Sequence, residues 1–122
     1  MSDVKRSGTF LVKGEKIILT RNGVWVADGT EITHQRTCDA FFRAVRLNPE
    51  TSQFEIKIGY ERIEIEVEDT AFFVTRIEND KLCLSSGLSL KPSSGTFEYR
   101  DSSLYFIFTD PNSNTPLRAK FL

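Results

Sequence analysis

The sequence is poor in the residues that most chemistry needs. Its 122 residues hold two cysteines and one histidine, and no apolar run approaches the eighteen or so residues that cross a bilayer. Each scarcity excludes a class. Cys38 and Cys83 are too few for a disulfide framework and lack paired metal-ligand spacing, so they read as buried free thiols. His34 has no Ser or Cys arrangement beside it and sits near the start of a helix, where a capping or surface role is ordinary. The glycines are isolated, which rules against a Walker or Rossmann phosphate loop. Sixteen Lys and Arg against seventeen Asp and Glu leave a net charge of −1, so no overall basic field exists to hold nucleic acid. The opening MSDVKRSGTF carries no apolar signal core. The expectation is a soluble cytoplasmic protein with no catalytic constellation, metal site or cofactor.

What the chain does have is alternation. Ten phenylalanines are many for this length, and most are spaced by polar residues, as in a compact β-rich core. A chain of this size can bury such a core as a single domain, and one β-rich domain over 1–122 is expected. The clearest stretch is FEIKIGYERIEIEVED, Phe54 to Asp69. Its apolar side chains recur every second residue, the mark of a hairpin with one buried face. A two-residue turn at Tyr60 and Glu61 would set Ile58 opposite Ile63, Ile56 opposite Ile65 and Phe54 opposite Val67. Glu55, opposite Glu66, would then lie on the solvent face, with Lys57 opposite Glu64.

In chain order, 1–7 reads as a loose end, and short strands are expected at 8–12 and 16–21 around the turn Lys13-Gly14-Glu15. Asn22-Gly23 predicts a type I′ hairpin, and Asp28-Gly29 a second tight turn after the strand that carries Trp25. From Thr33 to Arg46 the period changes to 3.6: Cys38, Phe41, Phe42 and Val45 make an apolar stripe, with Thr33 as the cap and Asn48-Pro49 as the stop. Asp39 and Arg43 are spaced to pair within that helix. Further hairpins are expected around Asn79-Asp80 and Asp101-Ser103, with a closing segment at Leu117 to Leu122 that packs as a strand or helix start.

Asn22-Gly23-Val24-Trp25, Asp28-Gly29-Thr30-Glu31-Ile32, Phe42 to Arg46, Glu61 and Val67-Glu68-Asp69-Thr70-Ala71-Phe72 follow one another as the signature blocks of a bacterial family do. Over Lys16 to Ile77 the chain resembles the family called domain of unknown function 1285. That family has Thr-Pro where Ile58-Gly59 stands here, and it continues beyond the point equivalent to Leu122. The resemblance implies a β-rich core with repeated motifs and a part superficially like a pleckstrin-homology domain. It also implies a suspected role in signal transduction, with a nucleotide-type ligand at the interface between repeats.

The fold expected is therefore mainly β within the α+β class: an antiparallel rolled sheet or half-open barrel of hairpins with one amphipathic helix. For function, Arg36, Arg43 and Arg46 share one helix face and suit phosphate through bidentate hydrogen bonds, and Trp25 could stack on a base. Glu68 and Asp69 place two carboxylates together in a turn that could orient an arginine, although they are too few oxygens for a hard cation. These six residues are the candidate ligand-binding set of a non-enzymatic signalling module for a nucleotide-like anion. The alternative is a protein-interaction or self-associating domain, a homodimer included, that uses a sheet edge or the apolar C-terminus.

Overall fold

A computed structural model of the protein describes residues 16–122, so the expectations for 1–7, 8–12 and 13–15 lie outside the described residues. The described residues divide into two compact units, 16–69 and 70–122. Among the described residues the fold class is the one expected, mainly β with a single α-helix.

The first unit contains two sheets and the helix. In the first sheet the order is β3-β2-β1-β7, with β1 at Ile17–Leu19, β2 at Trp25–Ala27, β3 at Thr30–Glu31 and β7 at Glu66–Val67. The β1–β2 connection is not the two-residue type I′ turn predicted at Asn22-Gly23. Leu19 pairs with Trp25, the Thr20 amide donates to the Val24 carbonyl, and of the turn residues only Gly23 has a positive φ, +81°. This is a three-residue loop ending in a left-handed glycine. The type I′ pattern appears instead at Asp28-Gly29, where both φ angles are positive and Ala27 faces Thr30.

Helix α1 covers Gln35–Ala44 and is shorter at both ends than predicted. His34, not Thr33, caps it: its Nδ1 accepts from the Thr37 amide at 3.3 Å and lies 2.9 Å from the Thr37 hydroxyl. Asp39 accepts from Gln35 at 2.9 Å rather than pairing with Arg43. The chain leaves the helix at Val45, already extended at φ −70° and ψ 137°, and continues as β4, Val45–Asn48. Period 3.6 and period 2 overlap across Phe41, Phe42 and Val45, which is why the strand was hidden inside the helical pattern.

β4 is the outer strand of a second sheet, ordered β4-β5-β6, with β5 at Gln53–Ile58 and β6 at Glu61–Glu64. The hairpin exists, but its register is two residues from the predicted one. Ile58 faces Glu61, Lys57 faces Arg62, Ile56 faces Ile63 and Glu55 faces Glu64. The turn is Gly59-Tyr60, with Gly59 at φ +62°, and glycine at the first central position is what a type II′ turn asks for. A shift of two keeps every side chain on its expected face, so Ile56 is still fully buried. Val67 does not pair with Phe54. It runs parallel to β1 opposite Leu19, because the chain changes sheets at the buried Ile65.

The second unit is one six-stranded sheet, ordered β10-β9-β8-β13-β12-β11. Its strands are β8 at Phe72–Glu78, β9 at Lys81–Leu84, β10 at Ser89–Leu90, β11 at Thr96–Arg100, β12 at Ser103–Thr109 and β13 at Pro116–Phe121. Asn79-Asp80 and Asp101-Ser102 close two-residue hairpins with both φ angles positive. The C-terminal segment is a strand in the middle of the sheet, parallel to β8 and antiparallel to β12. Phe73, Leu82, Phe106, Phe108 and Ala119 are among the residues that form its core. Among the described residues no helix is long and apolar enough to cross a membrane.

Gly95 enters β11 with an extended backbone that any residue can adopt, but the space is closed. A Cβ there would stand 2.1 Å from the Ile107 carbonyl oxygen and 2.8 Å from the Phe106 ring. Gly95→Ala is expected to destabilise the protein by about 1–3 kcal/mol, read as a lower urea midpoint; an unchanged midpoint would contradict the packing described.

Candidate functional site

The six residues singled out in the sequence do not form one surface. Trp25 is 1% exposed, and the edges of Phe41 and Phe42 meet it at centroid distances of 5.3 Å each. It is a core side chain and cannot stack on a base. Its indole N–H has no hydrogen-bond partner, which the apolar contact outweighs, since each aromatic pair adds about 0.5–1.5 kcal/mol beyond area burial. Arg36 and Arg43 remain exposed on the helix, seven residues apart on one face. Arg46 is not on that face. It belongs to β4, where its Nε lies 3.0 Å from Glu55 Oε2. Glu68 Oε1 accepts from the Arg21 amide at 3.0 Å while its own amide donates to the Leu19 carbonyl, so it ties the β1 end to β7. Asp69 is half-buried at the end of the first unit.

Glu55 was expected in solvent and is only 2% exposed. It occupies the central strand of β4-β5-β6, beneath Arg46 on one side and Arg62, 4.0 Å away, on the other. Its Oε1 accepts from the buried Asn48 amide at 3.2 Å. The Arg46 contact at Oε2 is an ion pair without hydrogen-bond alignment, so that oxygen accepts no hydrogen bond. The two arginines, 45% and 57% exposed, come from the strands on either side and share the one buried carboxylate of Glu55, so this cluster is built to hold three strands in register. The sequence could not show it, because β4 was hidden.

Cys38 is half-buried and its thiol donates to the Ile32 carbonyl at 3.3 Å. Burial, then the carboxylates of Asp39 and Glu31, push that thiol up from its ordinary range. A raised thiol is a poor nucleophile at neutral pH.

The surface that stands out lies in the second unit. β11 ends the sheet, and among the described residues no strand pairs with its outer edge. Phe97 and Tyr99 project on one face, 51% and 74% exposed, beside Leu104 of β12 at 36%. Phe97 rests on Phe106 at 5.1 Å and Phe121 at 6.2 Å, so the apolar core runs outward to the edge without a polar border. On the opposite face Arg100 pairs with Glu98 at 3.0 Å. The β11–β12 register is unbroken over five pairs, with no bulge and no proline in the strand. The sheet's other edge, β10, is two residues long, which is one of the ordinary ways to blunt an edge.

No family sequence pattern and no curated protein matches this chain. Two solved structures share its fold. A DUF1285 family protein from Shewanella baltica OS155 matches at a TM-score of 0.59 and 14% identity, over 91% of this chain and 87% of that one. A second, from Silicibacter pomeroyi DSS-3, matches at 0.54 and 17% identity, over 88% of this chain and 63% of that one. The chain carries a DUF1285-like domain. At these identities the likeness is one of fold, and it agrees with the resemblance carried by the Asn22 to Phe72 blocks. The DUF1285-like domain here spans less than two thirds of the Silicibacter protein.

Two outcomes follow for these side chains. Glu55→Ala strands Asn48 in the core, while the half-exposed arginines can regain water. It should destabilise by about 1–3 kcal/mol, seen in chemical unfolding, and a neutral result would mean Glu55 holds nothing. Cys38 should alkylate several-fold more slowly at pH 8 than a free thiol, measured with iodoacetamide on a Cys83→Ser background; equal rates would contradict its environment.

Proposed function

We propose that this DUF1285-like domain is a non-enzymatic interaction module, in which an extended segment of a protein partner adds alongside β11 as a further strand. The observation that carries this reading is the exposure of Phe97 and Tyr99 on a five-residue edge strand. Strand addition draws affinity from main-chain hydrogen bonds and specificity from alternate side chains. β11 offers both, through an open backbone edge and two aromatic positions on one face. The apolar C-terminus, the other surface considered from sequence, is already used as β13. A nucleotide-like anion held by Arg36, Arg43, Arg46 and Trp25 has less support, since Trp25 is in the core and Arg46 is neutralised by Glu55. Free thiols at Cys38 and Cys83 fit a reducing cytoplasm as the setting.

The reading is tested by placing a photo-crosslinking amino acid at Tyr99 and, in a separate variant, at Ile77, which is 64% exposed in β8 away from the edge. In the living source cell, position 99 should give a defined protein adduct and position 77 little or none. Equal or absent labelling at the two positions would overturn the proposal.

A further inference from the structure

Resting on that edge reading, we propose that the partner strand is β11 of a second copy of this chain, giving a two-fold dimer with a continuous twelve-stranded sheet. The β11 edge is self-complementary. An antiparallel pair of β11 strands centred on Glu98 sets Phe97 opposite Tyr99 of the second copy and Tyr99 opposite its Phe97. Both pairs lie on the face where Phe97 already meets Phe106. Aromatic cross-strand pairs are among the favourable ones. The half-exposed rings would thus be covered by each other, and the aromatic row of one sheet would continue into the next.

The charges on the other face agree with the same register. Thr96 falls opposite Arg100 of the second copy, and the two Glu98 side chains meet on the axis. Like charges opposite one another are unfavourable. Here, however, each Glu98 already has Arg100 of its own strand at 3.0 Å and gains the other copy's Arg100 on the diagonal. Two carboxylates and two guanidiniums alternate, with no net charge. Shifting the register by one would set Phe97 beside Glu98 and break both faces at once. The contact is short, five residues or ~17 Å along the strand, and so narrow a ribbon buries less than the ~1,200–2,000 Å² of a standard stable interface. The dimer is therefore reversible and concentration-dependent.

Sedimentation equilibrium of the full chain should show the mass rising from 13.9 kDa toward twice that value with concentration. Tyr99→Lys should weaken association at least ~tenfold with the unfolding midpoint unchanged. The register has its own test. Residues directly opposite in an antiparallel pair have Cα atoms ~4.5–5.5 Å apart, within disulfide reach, whereas position 96 meets its symmetry mate only four residues away, ~14 Å. Glu98→Cys should form a disulfide-linked dimer under mild oxidation, and Thr96→Cys and the wild-type chain should not. A single-chain mass at every concentration, or linkage at 96 as fast as at 98, overturns the self-pairing. If the chain stays single while position 99 photo-labels a different protein, self-pairing fails and the edge reading stands. If neither the dimer nor any position-99 adduct forms, both fall.

Discussion

The second unit depends on β13. The last strand of the chain enters between β8 and β12, pairing Ala119 with Phe72 in parallel and with Phe106 in antiparallel. Without it the sheet is two separate pieces, β10-β9-β8 and β12-β11. Thr70, whose hydroxyl donates to the Arg118 carbonyl, fastens the start of the unit to its end. Closing a loop of this length costs conformational entropy that local hairpins do not meet. The return comes from burying Phe72, Phe106 and Ala119 around one strand. With β13 in the centre, β11 is the terminal strand of this sheet among the described residues.

The first unit solves a different problem. Its two small sheets, of four and three strands among the described residues, each need an apolar face packed against something to be stable. Trp25 brings β2 against Phe41 and Phe42 of the helix, and Ile56 packs at the centre of the other sheet. Glu55 lies on the opposite side of that same strand, under Arg46 and Arg62. A buried carboxylate is tolerable only when ionic and hydrogen-bonded partners surround it. Those partners come from both neighbouring strands, so the cluster is also a statement of register.

Much of this was legible in the residues. Alternation located β5 and β6, turn residues located the hairpins β8–β9 and β11–β12, and the 3.6 period found α1. Turn chemistry placed the turns at Asp28-Gly29, Asn79-Asp80 and Asp101-Ser103 and missed the turn type at Asn22-Gly23. Asn22-Gly23 carries the stronger I′ signature, yet the two-residue turns formed at Asp28-Gly29, Asn79-Asp80 and Asp101-Ser102, where strand pairing demanded two left-handed residues. Gly59 outweighed Tyr60-Glu61 for the same reason, because a glycine at the first turn position is cheaper than a left-handed Glu61. The site was less legible. Arginines at 36, 43 and 46 look like one face only while the helix continues, and it stops at Ala44. Tryptophan on a short strand is compatible with a core or a binding role, and burial alone decides. That β11 is an edge cannot be known without seeing that β13 goes to the middle.

β13 closes the sheet and leaves β11 as its one long adhesive edge among the described strands. Residue-resolved amide hydrogen exchange at two protein concentrations tests it most directly. The β13, β12 and β8 amides should be strongly protected at both concentrations, with alternate amides of β11 exchanging freely when dilute and gaining protection when concentrated. Weak protection throughout β13, or β11 amides indifferent to concentration, would contradict it.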